Sequence, residues 1–300
     1  MKFSIFFLSV VAGLVLALPS HAQSPETESL IAAIKTELAK HPGTYAVAYK
    51  DAKTGEQVLI NERDRFHAAS TMKTPVMIEV YRQAAEGKFK LTDSILIKNE
   101  FKSIVDGSTY DLHKEDDSEL TLYGMVGKKL PLYKVMYLMI ISSSNLATNL
   151  IIEWVGAREV THTMRSLGAM DIEVLRGVED SKAFAKGLNN TVTAFDLMIL
   201  YDRMAKGTMV SPSACEGMIN ILKDQKFNEI IPAQLPAGVV VAHKTGSIRG
   251  VQHDSGIVIL PDGGQYSLVI LSKNLGDEPA AIQSMATVSR LIYDYHQRKR

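Results

Sequence analysis

The residues with the clearest chemical potential are Ser70 and Lys73, which lie three positions apart. The apolar run that follows them predicts a helix, and residues i and i+3 of a helix share one face, so the Lys73 amine can reach the Ser70 hydroxyl. A serine hydroxyl is a weak nucleophile until an adjacent base removes its proton. The pair therefore indicates nucleophilic catalysis by serine, although Ser-x-x-Lys alone also occurs by chance.

Two further polar motifs strengthen this interpretation. Residues 143–145 read Ser-Ser-Asn and directly follow the apolar segment 132–141, whereas residues 244–247 read Lys-Thr-Gly-Ser and end a strand-like run rich in valine. Three motifs from distant parts of the chain, in this order and at this spacing, suit a single catalytic domain.

The three motifs resemble the signature of class A β-lactamases and penicillin-binding proteins, which is Ser-x-x-Lys, Ser-Asp-Asn and Lys-Thr-Gly in this order. Segment 235–238 is also similar to the class A family, and the resemblance covers most of the chain after residue 25. The chain departs from the pattern at Ser144, where the family commonly has aspartate. That departure does not touch the reacting atoms but changes how the loop is anchored.

The resemblance assigns roles to the first motif. Ser70 is the nucleophile that becomes acylated, and its backbone N–H would form an oxyanion hole with the backbone N–H of Ser247. Lys73 is the base or proton relay. For that role its pKa has to fall, and we expect desolvation and the nearby Lys244 charge to lower it.

The other two motifs are expected to bind substrate and move protons. The resemblance implies that Ser143 relays a proton to the leaving nitrogen, while Asn145 binds the substrate side-chain amide and holds Lys73. Lys244 and Thr245 receive the substrate carboxylate, Gly246 lets the substrate backbone lie close to the strand, and Ser247 adds a hydroxyl contact to the substrate.

Turnover of an acyl-enzyme also needs a base that activates water. The family carries a glutamate followed by Leu-Asn, and Glu179 lies in the corresponding region without Leu-Asn at that spacing. Asn190 stands where an aspartate normally pairs with the loop arginine. Two interpretations stay open: Glu179 is the deacylation base of a remodelled loop, or it is a structural partner of Arg176 or Lys182.

Three functions fit these residues. The first is an exported serine hydrolase that opens β-lactam rings through an acyl-enzyme on Ser70. The second is a peptidase acting on D-Ala-D-Ala ends of peptidoglycan, or a slowly deacylating penicillin-binding protein. The third is a β-lactam sensor without turnover, which no membrane helix or fused signalling domain supports. The expected partner is therefore a small-molecule β-lactam or a cell-wall peptide.

Composition narrows the alternatives. Lys+Arg and Asp+Glu both total 33, so no excess of positive charge indicates a nucleic acid or an anionic membrane as partner. The eight histidines show no His-x-x-x-His or His-x-His pattern, so we expect neither a catalytic metal nor another cofactor. The single cysteine, Cys215, cannot form an internal disulfide.

The N-terminus resembles a secretory signal. Lys2 precedes an apolar core at 3–18, and residues 20–22 form a small-x-small cleavage site, which predicts a signal peptide over residues 1–22. No cysteine lies near the cleavage point to carry a lipid anchor. We expect a monomer exported to a bacterial periplasm without a stable membrane anchor.

Strand patterns at both ends of the chain, with helical patterns between them, position the motifs. This arrangement predicts an α+β fold in which an antiparallel sheet is built from both termini, flanked by helices, with an all-helical subdomain inserted. The predicted catalytic domain spans 23–300, with an α/β subdomain at 23–68 plus 209–300 and a helical subdomain at 69–208. The charged stretch 98–123 is interpreted as a solvated loop that could also line one side of the substrate groove between the two subdomains.

Overall fold

A computed structural model describes residues 24–299, so the signal peptide predicted for 1–22 lies outside the described residues. Within this range the helices are α1 (Pro25–Leu38), α2 (Lys73–Ala85), α3 (Leu132–Ile141), α4 (Asn145–Val155), α5 (Ala157–Ser166), α6 (Ser181–Ala185), α7 (Ala194–Ala205), α8 (Pro212–Lys223) and α9 (Glu278–Arg298). The strands are β1 (Thr44–Asp51), β2 (Gln57–Ile60), β3 (Phe66–His67), β4 (Ser94–Leu96), β5 (Phe101–Lys102), β6 (Thr109–Tyr110), β7 (Lys129–Pro131), β8 (Thr191–Val192), β9 (Val240–Ile248), β10 (Val251–Ile259) and β11 (Gln265–Lys273).

The main sheet joins the two ends of the chain. Its five strands run antiparallel in the order β2-β1-β11-β10-β9, with Tyr45 opposite Ser272 and Ser255 opposite Lys244. The predicted α+β architecture is therefore confirmed. Strand β9, which carries the third motif, lies at an edge of this sheet.

The two faces of the sheet pack against different helices. Alternate residues of a strand point to opposite faces, and in β1 the side chains of Tyr45, Val47 and Tyr49 enter one core with α1 and α9. Ala46 and Ala48 enter the other core, to which the helices between the two halves of the sheet contribute. Small alanines let α7 approach this second face closely.

Side-chain caps fix where the flanking helices begin. Ser24, Thr193 and Ser211 accept backbone N–H bonds at the starts of α1, α7 and α8, and proline follows the cap in α1 and α8. The subdomain division predicted at 68/69 and 208/209 falls in the links between β3 and α2 and between α7 and α8. The division itself stays a prediction. Between residues 24 and 299, no helix is long and apolar enough to cross a membrane.

The stretch 98–123 is more structured than the sequence indicates. It contains β5 and β6, and its side chains Phe101, Leu112 and Leu122 are buried in the helical core. The charged run at 113–116 is exposed along its whole length, as a solvated loop would be. Widely spaced apolar residues anchor this segment, and their spacing matches neither helix nor strand periodicity.

Candidate active site

Ser70 lies in a 3-10 turn (Ala69–Met72) that leads directly into α2. The turn begins with Ala69 in the left-handed region (φ 43°), and the Ala69 N–H donates to His67 Nδ1 over 3.0 Å. Strands β9 and β10 pack against this turn. The Ser70 side chain is half-buried, so the turn presents it at the junction between the sheet and the helices.

Lys73 is completely buried below the groove and points toward the second motif. Its Nζ donates to Ser143 O (2.6 Å), Ser143 Oγ (3.1 Å) and Asn145 Oδ1 (3.1 Å). Burial lowers the pKa of Lys73 to about 7, and the charges of Asp117 and Glu179 act in the opposite direction. A neutral amine is therefore accessible near neutral pH.

Lys244 reaches the same hydroxyl from the sheet side. Its buried Nζ donates to Ser143 Oγ over 3.1 Å and to Thr245 O over 2.9 Å. Burial, followed by repulsion from Lys73, holds the pKa of Lys244 well below its usual value. Burial, the first of the two causes expected from the sequence, is the main reason for the low pKa of Lys73. The repulsion between the two amines disfavours having both of them protonated.

The second motif is a strained turn at the start of α4. Ser143 has a left-handed backbone (φ 56°), which is unusual for a residue with a side chain. Ser144 caps α4, because its Oγ accepts the Ala147 N–H over 3.1 Å, and Asn145 is the first helical residue. This geometry turns the Ser143 hydroxyl toward both lysines.

Glu179 contacts this turn from the other side of the groove. Its Oε1 accepts the Asn145 side-chain N–H over 2.7 Å, and its own backbone is left-handed (φ 62°). The side chain still reaches solvent. Burial raises the pKa of the Glu179 carboxyl, Asp116 and Asp117 raise it further, and the Asn145 bond opposes them.

The two alternative partners of Glu179 are bonded elsewhere. Arg176 donates to Leu188 O (2.8 Å), Gly177 O (2.9 Å) and Asn189 Oδ1 (3.1 Å). The Lys182 Nζ lies 2.7 Å from Asp106 Oδ2. The observed contact of Glu179 is thus the Asn145 amide, which belongs to the predicted site.

Asn190, in the position expected to pair with the loop arginine, binds its backbone. The Asn190 Oδ1 accepts the N–H groups of Leu175 (2.8 Å) and Arg176 (3.2 Å), and its Nδ2 donates to Arg176 O over 2.9 Å. An amide can satisfy both N–H and C=O groups, so it closes this loop without an ion pair.

Sequence reasoning missed Asn149, which holds the Glu179 loop onto α4. Its Oδ1 accepts the Val178 N–H over 2.6 Å and its Nδ2 donates to Val178 O over 3.1 Å. Gly177 is required beside it, because a Cβ there would lie 2.3 Å from Asn149 Oδ1. The available signal was the spacing of Asn145 and Asn149, which places two amides on one helix face.

The third motif lies against Ser70. A Cβ added to Gly246 would lie 3.0 Å from Ser70 N and 3.1 Å from Thr71 N. The following residue, Ser247, is exposed and pairs with Gln252 of β10. The glycine therefore keeps the space beside the Ser70 N–H open.

Ser70 lies where two cavities meet. The Glu179 cavity, about 540 Å³, is bounded by Glu179, Val178 and Arg249. The Thr245 cavity, about 420 Å³, is bounded by Thr245 and Ser143. Ser70, Asn145 and Ser247 line both cavities. A substrate bound across Ser70 can thus extend in two directions.

The comparisons with known proteins agree with this geometry. The model of the "Beta-lactamase enzyme family" matches residues 29–296. The extended-spectrum β-lactamase PER-1 of Pseudomonas aeruginosa is 22% identical over 93% of this chain and 90% of its own.

Solved structures are similar over nearly the whole fold. A β-lactamase from Sphaerobacter thermophilus has a TM-score of 0.76 and 29% identity, covering 88% of this chain and 95% of that one. A variant of PBP-A, solved as an acyl-enzyme complex with penicillin G, has a TM-score of 0.77 and 25% identity, covering 90% and 97%. The family match spans far more than half of the chain, so the predicted serine hydrolase family is confirmed and this chain belongs to the β-lactamase enzyme family.

Proposed function

We propose that this protein opens β-lactam rings through an acyl-enzyme on Ser70 and hydrolyses that ester with water activated by Glu179. The observation that carries the proposal is one continuous hydrogen-bonded path: Lys73 donates to Asn145 Oδ1, and Asn145 Nδ2 donates to Glu179 Oε1. The two bases thus lie on either side of one amide. Family membership supplies the reaction class, a serine β-lactamase-type hydrolase.

In acylation, neutral Lys73 accepts the Ser70 proton as Oγ attacks the lactam carbonyl. The backbone N–H groups of Ser70 and Ser247 stabilise the oxyanion, which is where most of the catalytic gain in such reactions arises. The ring C–N bond then breaks, and Ser143 gives a proton to the departing nitrogen. Because Ser143 Oγ lies 3.1 Å from both Lys73 and Lys244, either amine can return that proton.

Substrate binding is assigned to the remaining motif residues. Thr245 receives the substrate carboxylate in the Thr245 cavity, the buried Lys244 amine attracts it from behind the cavity lining, and Gly246 allows the substrate backbone to lie against β9. The Asn145 amide holds the substrate side-chain amide at the entrance to the Glu179 cavity. Both cavities are lined by Asn145, which supports this division.

In deacylation, Glu179 takes a proton from water that attacks the ester carbonyl, the bond between the acyl carbon and Ser70 Oγ breaks, and Oγ takes up the proton. The raised pKa of its carboxyl supports this role, since a general base works best when its pKa approaches the working pH. A slowly deacylating penicillin-binding protein would use the same acylating residues and lack this step with β-lactams, whereas a peptidase would carry out the same step on the acyl group of its peptide substrate.

Intact-protein mass measured from seconds to hours after mixing with a penicillin and a cephalosporin tests the proposal. We expect a transient adduct that Ser70→Ala abolishes, together with accumulating hydrolysed product. A persistent wild-type adduct would assign the protein to the slowly deacylating class. No adduct at any time would reject β-lactams as substrates and direct the search to cell-wall peptides.

We also propose that the protein acts as an exported periplasmic monomer. The signal-like sequence at 1–22 supports export. Expression of the full chain in a bacterial host should give a periplasmic product that starts at Gln23, and light scattering should give the mass of one chain. A full-length cytoplasmic product would contradict export, and the mass of a dimer would contradict the monomeric state.

A further inference from the structure

A carboxylate outside the three motifs lies directly beneath the second one. Asp117 belongs to the stretch 98–123 and is only 7% exposed. Its neighbours Asp116 and Ser118 are exposed and line the Thr245 cavity. The chain thus alternates here, with Asp117 directed inward and the residues on either side directed toward the groove.

The Asp117 carboxylate binds the turn that carries the catalytic side chains. Its Oδ2 accepts the backbone N–H groups of Asn145 and Leu146, both over 2.9 Å, and the hydroxyls of Tyr123 (3.1 Å) and Ser144 (3.2 Å). The first N–H groups of a helix have no acceptor within the helix, and the helix dipole favours a negative charge at this end. Asp117 therefore fixes the first turn of α4.

We propose that Asp117 is a positioning residue that supplies, from a separate loop, the carboxylate that related enzymes carry in place of Ser144, and so holds Ser143 and Asn145 against Lys73. This inference rests on the proposed function, because it concerns the geometry of the acylating groups. Asp117 does not touch the reacting atoms.

The local contacts explain why the two positions are alternatives. The short Ser144 side chain reaches Ala147 N, which leaves the N–H groups of Asn145 and Leu146 to Asp117. An aspartate at 144 with Asp117 still present would place two carboxylates in contact, and like charges at this distance repel. One carboxylate, from either position, is what the turn accommodates.

Asp117 also acts on the charge of Lys73. The charged groups that face Lys73 are Asp117, Glu179 and Lys244. The negative charge of Asp117 favours the protonated amine and so opposes the effect of burial on the Lys73 pKa. Removing that charge should shift the acid limb of the acylation rate's pH profile to lower pH. A residue that only holds the turn in place would not produce this shift.

The test uses Asp117→Asn, which keeps the shape and removes the charge. Hydrogen bonds to charged groups contribute enough that the acylation rate should fall by about ten- to a hundredfold. The acid limb should move to lower pH. Glu115→Gln is the matched control, since it removes one negative charge from the same loop at a side chain that is 70% exposed. It should leave both quantities unchanged.

Rescue separates positioning from folding. Asp117→Ala combined with Ser144→Asp should acylate about tenfold faster or more than Asp117→Ala alone, because the carboxylate is restored where related enzymes carry it. If Asp117→Ala does not fold, recovery of a folded, acylating protein by Ser144→Asp is the same result. A wild-type rate and pH profile in Asp117→Asn, or no gain from Ser144→Asp, would overturn the proposal.

Amide hydrogen exchange gives a readout that needs no substrate. Exchange at Asn145 and Leu146 should accelerate in Asp117→Asn and not in Glu115→Gln. If the wild-type protein never reacts with β-lactams, the proposed function fails, while this measurement still decides whether Asp117 anchors the turn. Unchanged exchange at both amides would overturn the anchor.

Discussion

The Asn145 side-chain amide donates to Oε1 of Glu179 over 2.7 Å, while its carbonyl oxygen accepts from Lys73 over 3.1 Å. Because an amide has distinct donor and acceptor ends, this bond orients Asn145 and separates the two basic groups. Acylation and deacylation can therefore be altered one at a time.

Glu179→Gln should trap the acyl-enzyme. The glutamine can still accept from Asn145 but cannot take a proton from water, so deacylation should slow by about 10²–10⁴-fold, the usual contribution of a general base. Acylation should change little, because Lys73 is intact. The adduct lifetime, followed by intact-protein mass, measures the effect.

Glu216→Gln on the exposed face of α8 is the matched control and should turn over at the wild-type rate. Unchanged turnover in Glu179→Gln would make Glu179 a structural residue. In the wild-type protein, the raised pKa of Glu179 should place the acid limb of deacylation above the usual range for a glutamate.

Acylation should require a neutral Lys73. Below a pH of about 7, where burial places the pKa of Lys73, the amine is protonated and cannot accept the Ser70 proton. The acylation rate should therefore fall as the pH drops through this value. Stopped-flow measurements with a chromogenic cephalosporin across roughly pH 5–9, a range that brackets the transition, would record this fall in rate.

Lys73→Arg tests the same point by mutation. A guanidinium keeps the positive charge and is never deprotonated in proteins, so this variant should lose acylation at every pH. Its melting temperature serves as the control for folding. A wild-type acylation rate that is flat through neutral pH would argue against Lys73 as the base.

Gly246→Ala should impair acylation through the oxyanion hole. The new methyl group would press on backbone N–H groups, which cannot move aside as a flexible side chain could. We expect the acylation rate to fall by about tenfold or more, because removing one oxyanion donor outright lowers the rate by about 10²–10³-fold. Gly276→Ala is the control, because a Cβ there meets nothing within 4 Å. Equal effects of both variants would remove the steric argument.

The sequence predicted that the three motifs lie together, for a physical reason, while their catalytic roles stay predictions. Ser70, Lys73, Ser143 and Lys244 each lie in a short motif whose spacing and flanking apolar run specify a local backbone. The sheet then brings the motifs together, and strand alternation predicts the sheet. These steps depend on neighbouring residues, which sequence patterns record.

Asp117 and Asn149 could not be predicted in the same way. Asp117 binds backbone N–H groups of residues 28 and 29 positions away, and any residue type offers such a group. Asn149 binds the backbone of Val178, 29 positions away. The spacing of Asn145 and Asn149 indicates a shared helix face but not the backbone partner of Asn149, and Asp117 has no such spacing. The folded chain is therefore needed to identify these two residues as supports of the site.

Asn149→Ala should slow deacylation more than acylation. Asn149 binds both the N–H and the C=O of Val178, the residue before Glu179, and lies on the α4 face that packs against that loop. Without it, Glu179 is held less firmly, whereas Lys73 and Ser143 keep their own contacts. We expect deacylation to slow by about tenfold or more, because losing a hydrogen-bonded partner commonly costs 1–3 kcal/mol. Pre-steady-state kinetics would separate the two rates.

A double-mutant cycle with Gly177→Ala tests the mechanism behind this effect. Alone, Gly177→Ala should also slow deacylation, because its Cβ would lie 2.3 Å from Asn149 Oδ1 and 2.8 Å from Asn149 Cγ. Truncating Asn149 removes both atoms, so the double variant should be no slower than Asn149→Ala. Such non-additivity is the signature of residues in direct contact. If the two losses simply add, Gly177 and Asn149 position Glu179 independently and the packing argument fails.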